Sequence, residues 1–131
     1  MFLRRKIPLL ALALFLAAFH PGLANTQPPR PVTRRTPQFE NDSVRVWRSS
    51  IAPHQPLTMH RHENGRVLVA LTGGTVRIVK ESGESRTVMW ESGKAYWLSA
   101  DPPGERHADL NDGHEPIEVM VVELKPPAPS R

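Results

Sequence analysis

His60-Arg61-His62 decides the fold when it is read together with Pro102-Pro103-Gly104-Glu105-Arg106-His107-Ala108-Asp109-Leu110-Asn111, where a third histidine arrives 45 positions after His62. Side chains on a β-strand alternate between its faces, so in an extended segment His60 and His62 point the same way. An imidazole from a distant strand would complete a metal triad. Neutral imidazoles suit late first-row metals, and three of them leave coordination positions open. An isolated H-x-H pair is also what two half-buried surface histidines look like. The surroundings favour the triad: after His62 come a turn (Glu63-Asn64-Gly65), an apolar run and Gly73-Gly74, and His107 follows a proline-glycine loop.

These stretches resemble the two motifs of the cupin family. The first is H-x-H, three or four residues, Glu, six residues, Gly; His60, His62 and Gly73 (or Gly74) match it. The second is P-x-G-x-x-H-x-x-x-N, matched by Pro102, Gly104, His107 and Asn111. The departures are specific. His54 stands at the first motif's opening glycine, Gly93 lies too far before Pro102, and the glutamate position falls on Arg66 or Val67. The resemblance spans roughly Val44 to Leu124. It implies a small β-barrel that holds one metal ion through His60, His62 and His107, with the usual glutamate ligand missing. The metal would be Fe, Mn, Ni, Zn or Cu. Some cupin dioxygenases, thiol-oxidising and ring-cleaving ones among them, likewise lack that glutamate.

The rest of the chain reads as short strands at regular intervals. Val44 to Ile51 carries Val44 and Val46 on one face. Leu57 to His62 is the expected histidine strand, entered through Pro53-His54-Gln55-Pro56. Arg66 to Leu71 is apolar on both faces, as a buried strand is. Thr75 to Glu81 and Ser85 to Trp90 form a hairpin around Ser82-Gly83-Glu84. Lys94 to Leu98, Arg106 to Leu110 and Ile117 to Leu124 follow, separated by Gly- or Pro-containing turns. About eight strands without a helical pattern predict an all-β fold, a small antiparallel barrel of the jelly-roll (double-stranded β-helix) type. The domain is expected over residues 38–125. A core this small gains from a metal or from dimerisation, and the strand at Val44 to Ile51 is the expected element of a homodimer interface.

Residues 1–24 read as a secretory signal: Arg4-Arg5-Lys6, an apolar stretch from Ile7 to Phe19, and small residues at Gly22 and Ala24. The apolar stretch is shorter than the ~20 residues of a membrane span, so no stable membrane anchor is expected after cleavage. The mature protein is expected to be secreted or periplasmic. The absence of cysteine removes any disulfide framework. Residues 25–37, with Pro28-Pro29-Arg30-Pro31, read as a proline-rich linker, and 126–131 as a disordered tail. The formal charge of +4 belongs to these flanks; from Thr36 onward 11 Lys and Arg stand against 13 Asp and Glu. With no basic surface and one tyrosine, nucleic-acid binding is excluded as a function class.

His54 and Glu63 are further candidate ligands, although His54 lies in a proline-rich loop and Glu63 would face away on a continuing strand. Asn111 is expected to hold a turn. Trp47, Trp90, Trp97 and Tyr96 are expected in the core or lining a pocket. Arg66 has two readings. If Val67, Val69 and Leu71 face inward, Arg66 extends outward; if it faces inward, it repels a bare dication unless an anion sits between them, which makes it a candidate anion contact. Three functions remain open. One is a mononuclear metal dioxygenase acting on an anionic chelating small molecule. Another is a non-catalytic module binding a metal or small ligand. A third is a sugar isomerase or epimerase, for which no acid/base pair can be named.

Overall fold

Eight antiparallel strands form two sheets in the computed structural model, which describes residues 28–127. The signal assigned to 1–24, the first residues of the linker and the end of the tail lie outside the described residues. The strands are β1 (Arg34–Glu40), β2 (Val44–Ile51), β3 (Arg66–Ala70), β4 (Gly74–Lys80), β5 (Ser85–Trp90), β6 (Ala95–Leu98), β7 (His107–Asn111) and β8 (Ile117–Leu124). The larger sheet has the order β1-β2-β8-β3-β6, and the smaller is β5-β4-β7. The inward residues of β8 (Ile117, Val119, Val121) meet Trp47, Ile51, Leu68, Val76 and Trp90 in one core. This is the all-β jelly roll that the spacing of turns predicts.

Apart from one-residue shifts at strand ends, two features differ from expectation. Arg34 to Pro37, expected as linker, are part of β1, which pairs with β2 from Arg34↔Ser50 to Glu40↔Arg45. Every β1 residue is exposed, so no apolar alternation betrays the strand. It is held by backbone pairing and by a polar clasp: Thr33 Oγ1 donates to the Gln55 carbonyl (2.6 Å) and accepts from Ala52 N–H (2.8 Å). The register slips between Pro37 and Phe39, an irregularity that an edge strand tolerates where a proline lacks its N–H.

The second difference is the histidine segment. Leu57 to His62 is not a regular strand. It runs along the free edge of β7 through separate bonds, His54 N–H to Asn111 O (2.8 Å), Leu57 N–H to Asp109 O (2.9 Å) and a reciprocal His60–His107 pair (2.8 Å each way). Pro53 and Pro56 have no N–H to offer, which prevents a continuous ladder. His60 and His62 still face together, with ring centroids 4.9 Å apart.

The outer face of the larger sheet carries an apolar row. Phe39, Val46, Val122, Val67 and Trp97 are cross-strand neighbours in that order, one from each of the five strands. Its ends are open: Phe39 is 57% and Trp97 59% exposed. Trp97, expected in the core or lining a pocket, borders the cavity beside the histidines but is largely exposed. It packs against Gly65, where an added Cβ would come within 2.5 Å of the indole ring.

Candidate metal centre

Two chain segments bring the histidines together. His60 and His62 come from the irregular segment, and His107 opens β7 beside them. Each offers a ligand atom within 4.8 Å of those of the other two. His62 and His107 are buried and His60 nearly so.

The ring orientations follow from what holds each Nδ1. His60 Nδ1–H donates to the Thr58 carbonyl at 2.7 Å. His62 Nδ1 is 3.1 Å from Glu123 Oε2, an acceptor on β8. His107 Nδ1 lies 3.5 Å from Asp101 Oδ2. An acceptor on one ring nitrogen fixes the tautomer and leaves the lone pair of the other for a metal. The Nε2 atoms are therefore the metal-directed donors. His60 Nε2 is buried and has no hydrogen-bond partner among the described residues. A buried acceptor is normally satisfied, and a cation at the common focus of the three rings would satisfy this one. The donor set and its outer anchors fit a divalent ion.

Asp101 joins several parts of the centre. Its Oδ2 accepts from His62 N–H at 2.6 Å, and its Oδ1 is 3.6 Å from the Arg66 guanidinium. Arg66 faces inward: it is 7% exposed, shares the inner face of β3 with Leu68 and Ala70, and donates from Nη1 to the Ser99 carbonyl at 3.0 Å. Its partner across the sheet is Glu123. The alternation on β3 thus runs opposite to the reading that points Val67, Val69 and Leu71 inward. Arg35 of β1 also reaches the cavity, with its guanidinium 5.4 Å from the centroid of the Trp47 ring. Trp47 in turn lies parallel to His62, centroids 5.9 Å apart.

Burial, reinforced by Arg35, lowers the His60 imidazole to about 4; burial and Arg66 lower His62 to about 2. Both rings are thus neutral at physiological pH, the form that binds metal. Burial pushes the carboxyl groups of Asp109 and Glu123 above their ordinary values, against the pull of nearby cations. Beside the rings is a cavity of about 300 Å³ lined by Trp47, His62, Arg66, Trp90, His107 and Asp109 among others. That volume is at the small end for a ligand site.

The other candidates lie elsewhere. His54 is exposed, with φ of 58°. The Glu63 side chain is 77% exposed and lies 3.9 Å from Arg61. Neither belongs to the histidine group. Asn111 holds a turn: its amide donates to the carbonyls of Ile51 (2.9 Å) and Glu115 (2.7 Å), and its Oδ1 accepts from Gly113 N–H (2.9 Å). Sequence reasoning missed Asp101, Glu123 and Asp109. Asp109 alone left a signal, since it lies two residues after His107 and so on the same face.

The fold is that of the cupins. A cupin domain from Bordetella pertussis Tohama I superposes with a TM-score of 0.64 at 25% identity, covering 76% of this chain and 100% of that one. A Klebsiella pneumoniae protein with a double-stranded β-helix domain matches at 20% identity and TM-score 0.55, covering 75% and 81% of the two chains. A cupin superfamily protein from Desulfitobacterium hafniense matches at 11% identity and TM-score 0.55, covering 76% and 84%. No protein-family model and no curated protein matches the sequence.

Proposed function

We propose that this protein is an exported cupin that holds one divalent metal ion through His60, His62 and His107 and binds a small anionic chelating molecule beside it, as a mononuclear dioxygenase does. The observation that carries the metal is the unpartnered, buried Nε2 of His60 beside the His62 ring, anchored at Nδ1 by Glu123, and the His107 ring, whose Nδ1 faces Asp101 at 3.5 Å. Support for an anionic ligand comes from the polar groups of the cavity. Arg66 faces inward, Arg35 reaches the same space, and the buried Trp47 Nε1–H has no acceptor among the described residues. Around the histidines two guanidiniums stand against the carboxylates of Asp101, Asp109 and Glu123, so a divalent ion turns a formal −1 into +1. In an environment of low dielectric such a charge selects anions over neutral sugars. A redox-active metal held here would supply the one-electron chemistry that dioxygen requires. The chain's own residues supply the rest: Glu123, Asp101 and the Thr58 carbonyl orient the rings, Arg66 offers a forked donor to a carboxylate, and the apolar wall of Trp90 and Leu68 limits water.

Metal analysis of protein purified without an affinity tag, followed by oxygen-uptake assays with thiols and diphenols, tests this reading. One metal ion per chain and ligand-dependent oxygen consumption are expected. Stoichiometric metal and anion binding without oxygen consumption would instead identify a binding module. Protein that takes up none of Fe, Mn, Ni, Zn or Cu on reconstitution would remove the reading altogether.

A further inference from the structure

The resemblance places a glutamate ligand where this chain has Arg66 or Val67, and neither side chain can ligate a cation. We propose that Asp109 of β7 supplies the carboxylate instead, making the centre three imidazoles and one carboxylate drawn from a different strand. This inference rests on the metal reading above. Asp109 follows His107 by two positions and projects into the same cavity; its side chain is only 13% exposed. Its two oxygens divide between two of the candidate ligands, Oδ1 at 3.8 Å from His107 Nε2 and Oδ2 at 4.0 Å from His60 Nε2. These are the nitrogens left free once each Nδ1 is held.

The chemistry of those contacts calls for a cation. His60 donates from Nδ1 to a carbonyl, which can only accept. Its Nε2 in the neutral ring is therefore a bare lone pair. It faces a carboxylate oxygen, a second acceptor, across a gap too long for a hydrogen bond. Two acceptors turned toward each other in a buried space are mutually repulsive unless a positive charge lies between them. Donors sharing one ion at ~2.1 Å each stand roughly 3–3.5 Å apart, and Asp109 is within about half an ångström of that from His60 and His107. It lies outside the 4.8 Å group formed by the three histidines, so it must also shift toward His62 to join the set. The other two carboxylates are engaged elsewhere: Glu123 holds the far side of His62, while Asp101 holds His62 N–H, His107 Nδ1 and Arg66. Asp109 has only the two ring nitrogens as ion-pair partners among the described residues. Moving the carboxylate to β7 also explains how an arginine can occupy the inward place on β3, since the ligand's charge is kept while that place is freed to bind an anion.

The test uses Co(II), whose visible spectrum reports coordination, on the full-length mature protein. Wild type, Asp109→Asn, Asp109→Ala and Asp101→Asn are titrated against a competing chelator. Asp101→Asn serves as the reference for losing an outer partner, which costs ~10–100-fold in affinity. The proposal expects Asp109→Asn to lose more than Asp101→Asn and to change the Co(II) bands. It also expects formate to restore the wild-type bands to Asp109→Ala by filling the empty position. Circular dichroism on the metal-free proteins checks that the variants fold. Asp109 variants that bind Co(II) as tightly as wild type with unchanged bands would overturn the proposal and leave the three-histidine centre standing. Wild-type protein that binds no Co(II) would overturn both.

Discussion

His62 shows how much of this centre is built by residues far away in sequence. Its backbone N–H is held by Asp101 and its ring by Glu123, 39 and 61 positions downstream. Replacing any of His60, His62 or His107 with Ala is expected to abolish stoichiometric metal binding, whereas His54→Ala retains it; elemental analysis distinguishes the two results. Arg66→Ala leaves Asp101 without its guanidinium. Since breaking a buried ion pair costs about 3–5 kcal/mol, urea denaturation should show a loss toward the lower end of that range, and binding of small chelating acids should weaken as well. Acid should destabilise the metal-free protein. His60 and His62 have folded values below the unfolded 6.5, so below pH 6.5 the unfolded chain binds more protons and stability falls with pH. The fall continues to about pH 4 for His60, and a Tm slope over pH 6.5–4 that is no shallower in His60→Gln than in wild type would contradict it. The histidines themselves were legible because their spacing is local. Asp101 and Glu123 were not, since an isolated acid in a sequence carries no sign of what it meets across a barrel.

At the level of elements, regular alternation was readable and its exceptions were not. β8 alternates cleanly between inward Ile117, Val119, Val121, Glu123 and outward neighbours. β3 is apolar on both faces, so nothing in Arg66 to Leu71 says which parity faces inward; the register with Glu123 and Leu98 decides it. β1 escaped notice because its order comes from hydrogen bonds rather than burial. The Gly73-Gly74 turn was legible, but the need for its second glycine is tertiary: a Cβ on Gly74 would run into the Ile117 side chain, itself 2% exposed. Gly74→Ala is expected to destabilise by about 1–3 kcal/mol through overpacking, a shift that denaturant titration resolves. An unchanged midpoint would mean that Ile117 can move aside at no cost.

On the scale of the whole molecule, we propose the outward apolar row as the surface that a second copy would cover. An aromatic side chain closes each end and valines fill the middle, a pattern that a two-fold axis can lay against itself. Exposed apolar patches of this kind mark association sites. The expected result is a dimer by light scattering at micromolar concentration, reduced to monomer in Phe39→Glu with Trp97→Glu. A monomeric wild type would reject it. The sequence reading chose β2 for this role, but β2 lies inside the sheet and contributes only Val46 to the row. For export, intact-mass analysis should find Asn25 as the first residue of the mature chain, and a start at Met1 would contradict the signal assignment.

The placement of the histidine anchors has a further consequence for how the molecule opens. His107 belongs to the three-stranded sheet, while His62 is tied through Glu123 to the five-stranded one. A bound ion would rivet the two sheets at the mouth of the barrel. Without it, each sheet can exchange its amide hydrogens through its own partial opening; with it, amides on β4 and β8 should share one protection free energy, because neither sheet can part without releasing the ion. Metal would thus act on cooperativity as well as on stability, adding a tie at the site to the core that the two sheets already share.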